Sequence, residues 1–148
     1  MSVIYGRGQA AVRAIVEALR VEFGASNVGR GRYTMPPITP WVGVAGLTVS
    51  STQGPPTRYW RRTAVVDIDL WDGAADASTD TRVEQAEDLA LRATNALEVA
   101  KADPTNPLYL LDEFEVESAA IGADFDAVPE GFSRALLSVR YVYIERGT

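Results

Sequence analysis

Asp67 and Asp69 are the residues of this chain best spaced for chemistry. Positions i and i+2 of a strand share a face, so two carboxylates placed this way can hold a divalent cation such as Mg²⁺ and, through it, a phosphate. The plainer reading is the polar side of a half-exposed strand, because short motifs of this kind recur by chance. Asp124-x-Asp126 lacks the Gly and the terminal Glu of an EF-hand loop, and no Gly-x-Ser-x-Gly elbow or Walker loop occurs. The chain has no His and no Cys. That removes the usual general base at neutral pH, the commonest metal ligand, the thiolate nucleophile and any disulfide. Carboxylates, hydroxyls, arginines and Lys101 remain. No catalytic residue, metal ligand or cofactor is assigned, and an enzyme is not expected. A small metal-dependent enzyme using Asp67 and Asp69 is kept as a remote alternative.

Two charged clusters suggest binding instead. Arg58, Tyr59, Trp60, Arg61 and Arg62 combine cations for phosphates with rings for base stacking, which would suit a DNA-binding adaptor. The net charge of −6 and the absence of a nucleic-acid motif favour a strand end that packs its aromatics, or a protein contact anchored by Arg and Trp. Glu113, Glu115 and Glu117 alternate with Phe114, Val116 and Ser118, so one strand face is strongly acidic. Three like charges on one face need water or a basic neighbour, such as a second subunit. Residues 1–63 carry eight arginines against Glu17 and Glu22, a balance of +6, while residues 64–148 carry six cations against eighteen acids, a balance of −12. Unlike faces on one subunit suit head-to-tail assembly, although solvated charge on both halves is the plainer explanation of the numbers.

The elements that must position these residues follow from periodicity. Over residues 63–71, Ala64, Val66, Ile68 and Leu70 point one way and Val65, Asp67, Asp69 and Trp71 the other, a strand with one face buried. Val12, Ile15, Val16, Leu19 and Phe23 form one helical stripe, which predicts a helix over 8–23 ended by Gly24. The two Gly-Arg pairs of residues 28–33 read as a short strand or a loop, because no strand precedes and no helix follows as a dinucleotide site requires. Pro36, Pro37 and Pro40 keep residues 35–40 out of a central strand. Residues 41–50 and 58–71 are expected to pair as a long antiparallel hairpin with a mobile tip at 51–57, the best candidate for contact with another subunit or partner. Thr81 and Glu84 make a capping box for a helix over about 82–100, in which Val83, Ala86, Ala90, Ala93 and Leu97 form a narrow apolar stripe. Residues 112–120 and 132–145 read as strands, the last apolar on both faces and therefore interior. Residues 121–131 connect them, and residues 147–148 are expected to fray.

A chain of 148 residues fits one domain, here 1–148, and needs no covalent staples. The pattern gives an α+β fold: a mixed, mainly antiparallel sheet of about four strands, two helices packed on one face, and a long protruding β-hairpin. No apolar run approaches the ~20 residues of a membrane span, and the N-terminal residues lack the order of a signal peptide. Synthesis in the cytoplasm is expected.

The layout resembles the tail terminator, or tail completion, proteins of long-tailed bacteriophages. The resemblance runs through an opening helix (Val12 to Phe23), a Pro-rich passage (Pro36, Pro37, Pro40) and a hairpin. It continues through an Arg-x-x-x-Val-Asp-Ile-Asp-Leu-Trp-like strand (Arg62 to Trp71), an Ala-Glu-Asp-Leu-Ala-x-x-Ala-x-x-Ala-Leu-like helix (Ala86 to Leu97) and late strands. It implies an α/β fold that assembles as a homohexameric ring, capping the tail tube, ending tube polymerisation and joining the head. The implied partners are further copies of the chain, the tail tube protein and a head completion or connector protein. DNA would pass through the lumen without specific binding, with Glu113, Glu115 and Glu117 as candidate lumen-facing acids that repel it. The implied location is the virion, at the head–tail junction, after assembly in the host cytoplasm. Other neck or connector proteins and tail tube proteins share this fold group and remain alternatives. No catalytic residues are implied.

Overall fold

The alternating stretch around Asp67 and Asp69 lies at the centre of the sheet. The computed structural model describes residues 2–31, 35–54, 59–73, 78–121 and 131–146. In chain order these form helix α1 (Ser2–Phe23), strands β1 (Val28–Arg30), β2 (Trp41–Gly54) and β3 (Tyr59–Gly73), helix α2 (Thr79–Ala102), a helical turn at Pro107–Leu110, and strands β4 (Glu113–Ile121) and β5 (Phe132–Arg146). The fold is α+β. The sheet has five strands rather than about four, in the order β1-β2-β3-β5-β4. β1 runs parallel to β2 and every other pair is antiparallel.

Burial follows the period-two pattern. Ala64, Val66, Ile68 and Leu70 stand opposite Tyr141, Val139, Leu137 and Ala135 across the β3–β5 register, and all eight are fully buried. Val12, Ile15, Val16, Leu19 and Phe23 of α1 and Ala86, Leu89, Ala90, Ala93 and Leu97 of α2 close over that face. The alanines of α2 let its backbone lie close to the strands. Gly8 serves the same purpose on α1, since a Cβ there would come within 2.7 Å of the Tyr143 hydroxyl. The Tyr141 hydroxyl donates to the Gly8 carbonyl at 3.2 Å, which satisfies a buried phenol whose pKa burial pushes up.

Both helices begin earlier than the periodicity predicts. α1 starts at Ser2 rather than residue 8. α2 is capped by Ser78, whose Oγ accepts from the Thr81 amide at 3.3 Å, so the expected Thr81–Glu84 box lies one turn inside the helix. The same turn is clipped to the sheet: Arg82 Nε donates to the Phe132 carbonyl, and Gln85 Nε2 donates to Asp72 and to the Gly73 carbonyl.

Two expectations about the hairpin change. Residues 51–54 continue β2 instead of forming the tip, and residues 55–57 lie outside the described residues, as do 122–130 and 147–148. The hairpin also does not protrude alone, because β5 accompanies β3 to its end, with Arg146 opposite Tyr59. A bulge between Ala45 and Thr48 interrupts the β2–β3 register, and Gly46 within it has φ 71°, a backbone state that glycine tolerates. Beyond the bulge, Val49 and Ser51 of β2 sit on the helix-side face yet are exposed, so the far half of β2 stands clear of the helices.

Leu137→Ala is expected to destabilise the fold by about 2–5 kcal/mol, the cost of a cavity in a packed core. Urea unfolding at unchanged slope would measure it, and a shift under 1 kcal/mol would show that the helices do not close over this face.

Candidate functional site

Most of the polar residues singled out by sequence lie on the other side of the sheet. Asp69 is 1% exposed, and its two oxygens accept from Arg134 Nε at 2.8 Å and Nη2 at 2.7 Å. This is the fork-on-carboxylate geometry that arginine is shaped for. Register sets it up, because Arg134 on β5 lies opposite Trp71, two residues along the same face of β3 from Asp69. The guanidinium also stacks 4.3 Å from the Trp71 ring centroid, and Phe132 meets that indole edge-on at 5.8 Å. Trp41, opposite Trp71 on β2, extends the patch. Asp67 is half-buried one pair further along β3. A cation between the two aspartates would therefore have to displace a bidentate arginine, and no group of three His, Cys, Asp or Glu suited to a metal occurs among the described residues.

The arginine–aromatic cluster is split. Arg61 points to the same face as Asp69 and donates to Glu113 Oε1 at 3.2 Å, while Arg140 donates to Glu113 Oε2 at 2.9 Å. Val142, opposite Glu113 in the register, is fully buried although it lies on the face away from the helices. Arg62 points to the opposite face. It reaches Glu145 at 3.3 Å, bonds the Ser51 hydroxyl and lies 5.2 Å from the Trp60 ring centroid. Tyr59 is exposed, and Arg58 lies outside the described residues. Arg61 and Arg62 thus serve carboxylates of their own chain on two faces, which is not the single basic surface a nucleic acid needs.

Glu113, Glu115 and Glu117 share one face of β4, as their alternation predicts, and β4 is an edge strand. Only Glu113 is neutralised: hydrogen bonds from Arg140 and then Arg61 hold its pKa below the ordinary value. Glu115 and Glu117 are exposed without an ion pair among the described residues. Sequence reasoning missed Arg134, Arg140 and Glu145 as partners. The signal was there in the charged residues interrupting the apolar β5, but their partners depend on register.

Two of the grooves among the described residues are mainly apolar. One of about 450 Å³ is lined by Ala10, Pro107, Leu111 and Tyr143 among others, and one of about 400 Å³ runs between α1 and α2 beside the exposed Val21 and Val99. Neither is lined by Asp67 or Asp69. No helix among the described residues is long and apolar enough to cross a membrane. The sequence matches no protein-family model and no curated protein.

Asp69→Ala is expected to cost about 3 kcal/mol, because it takes the bidentate carboxylate away from a largely buried guanidinium. Changing Arg134 to Leu in the same chain should recover much of that loss in chemical denaturation. A thermal shift with Mg²⁺ that disappears in Asp69→Asn would instead restore the metal site. Glu113 gives a pH test. A carboxylate with a lowered folded pKa stabilises above its ordinary range, and loses that contribution as pH falls through the lowered value. The Tm gap between the protein and Glu113→Gln should therefore be widest near neutral pH and close in acid. A pH-independent gap would show that the carboxylate charge is not involved.

Proposed function

We propose that this protein is a structural subunit of a phage tail, assembling as a ring that caps the tail tube, ends tube polymerisation and offers the surface to which the head joins. The observation that carries the proposal is the long β2–β3–β5 platform. On it the far half of β2 stands clear of the helices, while Arg61 and Arg62 beside it are engaged by Glu113 and Glu145 of the same chain. Such a surface suits contact with other protein along a strand. Asp69, the residue best placed for chemistry, is buried under Arg134 and Trp71. The order of elements, with an opening helix, a hairpin, a second helix and two late strands, supports the head–tail group as a whole, with other neck, connector or tube proteins as the second reading.

On this reading the partners are other copies of the chain, the tube protein and a head-completion protein, with the duplex passing through the ring. Light scattering coupled to size exclusion should give a closed oligomer, a hexamer, at high concentration or on tails. Added to polymerising tube protein, the subunit should fix tube length, and its loss should give tails of uncontrolled length without heads. A tube subunit would instead extend into filaments by itself. A single subunit at every concentration that leaves tube growth unchanged would overturn the proposal.

A further inference from the structure

We infer that neighbouring copies join edge to edge into one continuous sheet, with β4 of one subunit adding antiparallel to the far half of β2 of the next. This inference rests on the ring reading and names the surfaces that make the ring.

The two ends of the sheet differ. Among the described residues β1 covers β2 as far as Val44, where the Gly31 amide donates to the Val44 carbonyl. From Thr48 to Gly54 no strand flanks β2 on that side among the described residues. A bare strand edge is a row of unpaired amides and carbonyls that another strand can satisfy. Soluble proteins guard such edges with charge or proline, yet residues 45–54 contain neither. β4 forms the opposite edge and carries its row of glutamates. Two β4 edges cannot pair comfortably, since like charges would face each other across the strands.

β4 and β2 fit each other. Strand directions alternate from β2 through β3 and β5 to β4, so β4 runs opposite to β2. A rotation that keeps the sheet upright therefore places them antiparallel. On the face away from the helices, β2 offers the exposed hydroxyls of Thr48, Ser50 and Thr52, in line with Thr63 and Arg61 of β3. β4 offers Glu113, Glu115 and Glu117 on the same face, at the same i, i+2 spacing. A carboxylate only accepts hydrogen bonds and a hydroxyl can donate, so the rows are complementary. On the helix side, the exposed Val49 would meet Phe114 and Val116. Because unlike edges meet, each subunit keeps one of each available, the head-to-tail arrangement that gives a ring when the rotation between subunits closes. Pairing β2 with β2 about a two-fold would leave the glutamate row unmatched.

The test is sedimentation velocity on the full chain over a range of concentrations, with circular dichroism to confirm folding. Ser50→Glu with Thr52→Glu should weaken association about tenfold or more per interface, and Ser50→Lys should strengthen it. Adding Glu115→Lys and Glu117→Lys to the doubly acidic variant should restore assembly. Weakening by lysine as well as by glutamate would point to β2 against β2 and overturn the inference. If the unaltered protein forms rings and every variant does so equally, the edge pairing falls while the ring stands. If the unaltered protein never associates, the ring reading itself fails.

Discussion

Ala64, Val66, Ile68 and Leu70 on β3 meet Tyr141, Val139, Leu137 and Ala135 on β5, and the rest of the structure is arranged to keep that double stripe dry. Burying a side chain the size of Leu or Ile is worth about 1.5–3 kcal/mol, so a stripe left open would cost more than a domain of this size can spare. One helix cannot cover two adjacent strands along their length, and α1 and α2 cover them side by side. The small residues of α2 and Gly8 of α1 set the distance of approach. The polar clips of Arg82 and Gln85 fix the end of α2 over the end of the sheet.

The opposite face obeys a different rule. Its apolar rings are too few to form a second core, so they share their space with charge. Arg134 is the instructive case, because its flat guanidinium bonds Asp69 in plane and offers its face to Trp71. Lysine could not do both. Burying such a pair gains little net stability, since desolvation offsets attraction, but it penalises any register that separates the partners. The Glu113 bridge between Arg61 and Arg140 ties three strands together in the same manner, closer to water.

Local pattern made much of this legible. The stripe of α1, the alternation in β3, β4 and β5, and the placing of both helices on one face follow from spacing alone. The start of α2 did not, because Ser78 and Thr81 are both good caps and tertiary clips decided between them. β1 was ambiguous because three residues carry too little periodicity to choose between strand and loop. The arginine cluster reads correctly as a strand end, but its partners stay hidden for a different reason. Arg61 and Arg62 are neighbours in sequence but face opposite ways in a strand, so what looks like one patch becomes two ion pairs. Their partners lie fifty or more positions away, and nothing in the local pattern announces them.

The bulge at Ala45–Thr48 bears on geometry at a larger scale. An extra residue on one strand sharpens the local coil of the pair, and Gly46 permits it through a backbone state other residues resist. The direction in which the far half of β2 runs beside β3 is thus set in part at this one lever, next to Leu47 at the margin of the core. Evolution can re-aim that lever by moving one glycine, leaving the packed layers as they are, and related chains could keep the same architecture while curving their shared surfaces to different radii.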